Sequence, residues 1–289
     1  MRTSRSPSPR FRSFIWTLAA PLAASLAACD SDGAARTPVA VRFAARIGDA
    51  AVACGPTYPD VGSSHTSFTL EDLRFYVHDL RLVASDGAET PVTLAADGKW
   101  QGSGVALLDF EDKTGACQNG TPDTNDRVVG TAPPGDYVGL RFALGVPPAL
   151  DHLDTATAVP PLDLGGMFWG WTLGYKFFRL DGKTASGAGW SVHLGSIGCT
   201  REGAGAITCS DDNVAAIDLP AFDPARDVVV VDVGALLAAS DLEANQPPSA
   251  GCMSDLDDAD CPTTFARFGL PFDGVAAPGP QVVFVKGAP

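Results

Sequence analysis

The sequence predicts an all-β protein, a disulfide-stapled β-sandwich in a single domain, and three observations carry that reading. Short runs of alternating apolar and polar residues recur along the chain, separated by turn residues drawn from 31 glycines and 23 prolines. Helix-length amphipathic patterns are almost absent and no repeat is present. Seven cysteines are present, and the six that follow Cys29 form an even set of the kind exported proteins spend on disulfides.

Export is read from the first residues. Arg2, Arg5, Arg10 and Arg12 precede an apolar run over residues 14–28, which ends in Leu26-Ala27-Ala28 before Cys29. This is an export signal over residues 1–28. Its end resembles a bacterial lipobox, with Cys29 the lipidated first residue of the mature chain, so a periplasmic or cell-envelope protein held to a membrane by its lipid is expected. Residues 29–38 read as a flexible tether and residues 39–289 as the folded domain. Losing the leader removes four of the 20 Lys+Arg and none of the 34 Asp+Glu, which takes the net charge from −14 to about −18. Nucleic acid is excluded as a partner, because a phosphate backbone needs a basic footprint.

In chain order, residues 39–44 alternate as a half-buried first strand, and residues 54–67 read as a loop that holds His65. Over residues 70–83, Leu73, Phe75 and Val77 share one face and Arg74, Tyr76 and His78 the other, unless a bulge shifts the phase. Strands at 90–94 and 105–110 flank the turn Asp97-Gly98, and residues 111–129 are loop. Residues 137–145 return to strand with Val138, Leu140, Phe142 and Leu144 on one side. A proline-bearing connection over 147–166 carries Asp151-His152-Leu153-Asp154; loops beyond about 12 residues are uncommon and often functional.

Residues 167–177 hold two of the four tryptophans beyond the leader. Read as a strand, they put Met167, Trp169, Trp171 and Leu173 on one face, with two indoles side by side. The chain then turns at Asp181-Gly182 and returns over 189–194, where Trp190, Val192 and Leu194 oppose His193. Strands at 214–219 and 227–233, a short helix over 233–242 and a last strand at 281–285 complete the domain.

Fifteen pairings of six cysteines are possible. Cys199–Cys209 and Cys252–Cys261 each span a short Gly- or Asp-rich stretch that can close locally, which leaves Cys54–Cys117; no Cys-x-x-Cys spacing points to zinc or redox chemistry. The chain lacks a Gly-x-Ser-x-Gly elbow, a His-Glu-x-x-His pair, a Walker loop and a dinucleotide fingerprint, which argues against hydrolase and nucleotide enzymes. The acidic loop Asp255-Leu256-Asp257-Asp258-Ala259-Asp260 has carboxylates enough for calcium without the EF-hand spacing. Of the four histidines, His152 and His193 flank the tryptophans; imidazole suits copper and zinc, and Met167 adds a soft thioether nearby.

Taken in order, Cys117-Gln118-Asn119-Gly120-Thr121, Thr124-Asn125, Leu144-Gly145-Val146-Pro147, His152, Met167-Phe168-Trp169-Gly170-Trp171, Gly174-Tyr175-Lys176-Phe177 and His193-Leu194-Gly195-Ser196-Ile197-Gly198-Cys199 resemble the MbnP family. These are exported copper-binding proteins, also described as the four-Cys partner of a "metallo-mystery pair". The resemblance implies that the four family cysteines fall on Cys199, Cys209, Cys252 and Cys261. It implies a partner, a diheme MauG-like peroxidase of the MbnH type, that oxidises Trp169 or Trp171 to kynurenine. It implies copper as the cofactor, with His152 and His193 as metal ligands, His78 third and Met167 accessory, in a binding protein that is not an enzyme. Indole is no metal ligand, whereas its opened ring offers an aromatic amine and a ketone. A different class of function, a sugar- or peptide-binding surface lipoprotein, would use the two indoles as a platform and the acidic loop for calcium.

Overall fold

Strand Thr37–Ile47 buries Val41, Phe43, Ala45 and Ile47 and exposes Arg42, Ala44 and Arg46, so its period-two pattern gives one face to a core. The computed structural model describes Met1 and residues 35–201, 203, 205 and 207–288. Residues 2–34, on which the expected export signal, the expected lipidation at Cys29 and most of the expected tether fall, lie outside the described residues. Thr37 and Pro38 already belong to the first strand, two residues inside the expected tether.

This strand is the axis of the smaller sheet. It pairs in parallel with Val228–Asp232 and antiparallel with Arg127–Ala132, and Phe284–Gly287 closes the far side of Val228–Asp232. The larger sheet is built on Thr66–Ala84, 19 residues long. Phe43 and Phe284 from the smaller sheet meet Phe75 and Phe142 from the larger, with ring centroids 5.5–6.0 Å apart. Edge-on and tilted rings at such distances add to the area they bury. The result is the all-β, disulfide-stapled sandwich the sequence predicts.

The long central strand changes partner partway. Phe68–Phe75 pair with Phe178–Thr184, and Val77–Ala84 pair with Tyr137–Leu144 along the same edge. Between them Tyr76 donates its N–H to the carbonyl of Phe177 and accepts the N–H of Gly145, each at 2.8 Å. Residues 146–176 therefore leave the sheet and return to it at one residue. Gly145 is glycine for two reasons: its φ is +131°, and a Cβ there would lie 2.8 Å from the Phe177 ring.

That excursion lies over the face of the central strand opposite the core. Tyr76 donates its hydroxyl to Pro161 O at 3.0 Å, and Arg74 and Tyr76 are buried. Asp79 at φ +49° supplies the bulge, after which Leu80 and Leu82 take over the core face from Leu73, Phe75 and Val77.

Several local expectations are corrected. Residues 54–67 contain a strand, Thr57–Val61, that pairs with the start of Thr66–Ala84. Asp181-Gly182 is not a turn: Phe178–Thr184 runs through it, because the Phe68 ring lies where a Gly182 side chain would be, 2.1 Å from its Cβ position. A register shift after Tyr137 turns Val138 to solvent. The helix spans only Val233–Leu237, with Asp232 accepting from the Ala235 N–H. The cysteines are bonded as Cys54–Cys117, Cys199–Cys209 and Cys252–Cys261. In the acidic loop Asp258 accepts from the N–H groups of Met253 and Asp260, and Asp255 from that of Asp257, so these carboxylates hold the loop's own backbone.

Phe75 touches rings from both sheets, so Phe75→Ala should cost about 3–5 kcal/mol of stability, whereas Val282→Ala at the surface should stay within about 0.5 kcal/mol. Urea unfolding of the two variants against wild type measures both.

Candidate metal centre

His193 lies on Gly189–Leu194, and the register of the three adjoining strands fixes its surroundings. Arg74, Arg179 and His193 are cross-strand neighbours, and two residues along, on the same face, so are Asp72, Asp181 and Ser191. The rows join into a continuous ladder. Arg74 donates to both Asp72 oxygens at 2.8 and 2.5 Å, and Arg179 Nε lies 3.2 Å from Asp72 and 2.7 Å from Asp181. The other Asp181 oxygen accepts from His193 Nε2 and from the Ser191 hydroxyl, each at 2.7 Å.

Opposing effects set the charges here. Burial pushes Asp181 up, but the His193 hydrogen bond, the neighbouring positive charge and Ser191 outweigh it and hold the carboxyl well below the usual range. Burial lowers His193, and Asp181 offsets this only in part; because the Asp181 carboxylate only accepts, the neutral imidazole carries its proton on the Nε2 that faces it. Nδ1 then carries a lone pair. It is buried and, among the described residues, has no hydrogen-bond partner. A histidine whose one nitrogen is oriented by a carboxylate while the other is free is how protein metal ligands are built.

Trp169 closes over this histidine. Its ring centroid is 6.2 Å from that of His193, and its six-membered ring lies 2.4 Å from where a Gly195 Cβ would be, so only glycine at 195 admits the indole. His193 and Gly195 are two residues apart and so share a face, which places the imidazole and that gap under the same indole. Lys176 Nζ stands 5.9 Å from the Trp169 ring and, with Arg179, donates to Gly166 O. Burial and the Arg179 charge pull Lys176 down to about 8.

The two indoles are not side by side as the sequence pattern implies. Strand Phe168–Gly170 pairs with Gly174–Tyr175 as a tight hairpin, closed by Leu173 N–H to Gly170 O, and this turn carries Trp171 away from Trp169. Trp171 is 49% exposed and packs on the Arg201 guanidinium, 4.6 Å from its ring centroid. A flat two-indole platform is therefore not formed. Met167 is wholly buried in the core cluster.

Asp151 and His152 fasten the hairpin. Asp151 accepts from Tyr175 N–H and from the Ser196 hydroxyl at 2.8 Å each, and its oxygens crowd the Gly174 Cβ position, where φ is +79°. Burial raises the Asp151 pKa. His152 donates Nδ1–H to Trp171 O at 3.0 Å, and its Nε2 lies 3.4 Å from Cys209 Sγ and 3.6 Å from Asp151. His78 donates Nδ1–H to Gly145 O at 2.9 Å, where the excursion begins. Among the described residues, the three-member donor group within 4.8 Å is His152, Cys199 and Cys209; His193 and His78 join no such group. His65 is exposed beside Asp60.

Asp181, Asp151 and Lys176 are site residues that the sequence reading did not single out. A charged residue repeating two positions apart within a strand, Arg179 and Asp181, was the available signal.

The fold and this site define a stapled β-sandwich that presents a carboxylate-oriented imidazole beneath a tryptophan hairpin. The sequence model of the MbnP family matches residues 36–254. A solved structure, MbnP from Methylosinus trichosporium, is 34% identical, with a TM-score of 0.79 over 88% of this chain and 99% of that one. The search of curated proteins gave no match. The chain belongs to the MbnP family, which is copper-associated and not a known enzyme family.

Two outcomes test the geometry. Gly195→Val should displace Trp169 and shift its fluorescence emission, whereas Gly187→Ala, in open space at a distant turn, should not. Burial lifts Asp109, against the pull of Arg74, to about 7. A carboxyl raised above its ordinary value near 3.9 favours folding at low pH and loses that contribution as pH rises through about 7. Thermal unfolding at pH 5 and pH 8 should therefore show a fall in wild-type stability that is smaller in Asp109→Asn.

Proposed function

We propose that this chain is an exported, lipid-anchored copper-binding protein whose site is completed when a diheme MauG-like peroxidase oxidises Trp169 to kynurenine, and that it carries copper without catalysing a reaction. The observation that supports this most is the unpartnered Nδ1 of His193, oriented through Nε2 by Asp181 and covered by the Trp169 indole. Imidazole suits copper, and opening the indole beside it adds an amine and a ketone to the donor set. The choice of Trp169 over Trp171 rests on that proximity, since Trp171 points to Arg201 and solvent. A second imidazole comes from His152 or His78, both of which donate Nδ1–H to a carbonyl and so keep Nε2 as a lone-pair donor.

Lipidation at Cys29 places the domain at a bacterial membrane in the cell envelope, where an external peroxidase can reach the hairpin. Copper, once bound, supplies a soft cation for delivery or sequestration, and this chain's own residues hold it. Asp181 keeps the His193 tautomer, and Gly195 leaves room for the modified side chain.

Protein produced with its peroxidase partner should show a gain of about 4 Da on the peptide containing Trp169, one oxygen gained and one carbon lost. A copper-loaded sample with Trp169 unmodified would contradict the reading. His193→Ala should abolish tight copper binding, and Asp181→Asn should weaken it about 10–100-fold, measured by competition with a copper chelator.

A further inference from the structure

His152, one of the two imidazoles available to the copper site, also lies behind the Cys199–Cys209 bridge, in a cluster that includes neither Trp169 nor His193. Cys199 and Cys209 flank a two-stranded ribbon in which Thr200 pairs with Thr208 and Arg201 with Ile207, so the two cysteines stand opposite one another at its end. Backbone register, and not only the sulfur–sulfur bond, holds them close. His152 Nε2 is 3.4 Å from Cys209 Sγ, and Nε2 and both sulfurs lie within 4.8 Å of one another. The Nδ1–H bond to Trp171 O fixes the ring with its lone pair toward the sulfurs. A disulfide has no N–H or O–H to offer that lone pair, so Nε2 is poised for a partner the oxidised pair does not supply.

We propose that reduction of Cys199–Cys209 converts this cluster into a Cys₂His site for a thiophilic d¹⁰ cation, Zn²⁺ or Cu⁺. A dithiol reductant delivers two electrons and two protons to the bridge and leaves as a cyclic disulfide; the metal then displaces the two thiol protons and binds two thiolates and Nε2. Two thiolates with one imidazole are a donor set that suits these cations. Both cysteines and His152 are only partly buried, beside an open cavity of ≈ 330 Å³ bordered by Trp171, Leu153 and Arg201, which gives reductant, metal and a fourth ligand water a way in. The other two bridges are more protected: Cys252 and Cys261 are both wholly buried, and in Cys54–Cys117 the Cys117 half is wholly buried while Cys54 is partly so. Asp151, 3.6 Å from Nε2, adds negative charge close to a bound cation.

The test uses mature protein made without the peroxidase, its tryptophans shown by mass to be unmodified, so that failure here is separable from failure of the kynurenine reading. After mild dithiol treatment, alkylation and peptide mapping should find Cys199 and Cys209 free and the other four cysteines bonded. Addition of Co²⁺ should then produce thiolate-to-cobalt absorption at one equivalent, erased by Zn²⁺. Cu⁺, offered from a chelator, should compete for the same equivalent. His152→Ala should lower the affinity about tenfold or more, and Cys199→Ser with Cys209→Ser should abolish the absorption while circular dichroism reports an intact fold. A reduced protein without that absorption, an unchanged affinity in His152→Ala, or a Cys199–Cys209 bridge that outlasts the other two would each overturn the proposal.

Discussion

The arrangement of the site depends on two hydrogen bonds made by one backbone residue. Tyr76 spends its N–H on Phe177 and its carbonyl on Gly145, so a single edge of the central strand is shared by two partner strands that end and begin there. A buried strand cannot leave those groups unpaired without a cost of about 1–3 kcal/mol each. The chain between the two partners is forced out of the sheet and back at the same point, and it folds over Arg74 and Tyr76. Everything functional in residues 146–176 inherits its position from that closure: Asp151 and His152 on one side of the tryptophan hairpin, Trp169 over His193 on the other.

What lies beneath the hairpin is a buried row of alternating charge, and it explains the state of His193. Arg74, Asp72, Arg179 and Asp181 balance in sign, so His193 does not have to carry a proton to neutralise Asp181. Removing one member would strand its partner's charge, a loss of about 3–5 kcal/mol in such settings. The ladder therefore commits the sheet to its register and, at its end, commits the imidazole to one tautomer. A buried lone-pair nitrogen on a ring packed beside an indole has little structural use, since it costs stability without a partner. Its persistence is what a ligand site requires.

Much of the fold was legible in the residues because it rests on local alternation. Val41, Phe43, Ala45 and Ile47 sit where the first strand's pattern puts them, and the central strand's Leu73, Phe75 and Val77 face the core. The errors came where distant contacts override local signals. Asp181-Gly182 has the composition of a turn, yet the Phe68 ring from another strand fills the space beside Gly182. That one misreading hid the Asp181–His193 pair, because the hairpin register depends on where the turn falls. The tryptophan stretch departs from its pattern for the same reason: period two predicts neighbouring indoles only if the chain stays straight, and Gly174, held against Asp151 at positive φ, bends it. His152 was singled out from its position in the chain, but its place beside Cys209 follows from long-range folding that no spacing reveals.

The central claim is that copper sits against His193 beneath the modified Trp169. Anomalous diffraction at the copper edge, on crystals of the protein isolated with its peroxidase partner, tests it most directly. The account predicts one strong peak at bonding distance, about 2.0 Å, from His193 Nδ1, with the opened ring of residue 169 beside it. A peak remote from Nδ1, or copper bound while residue 169 remains an intact indole, would contradict it.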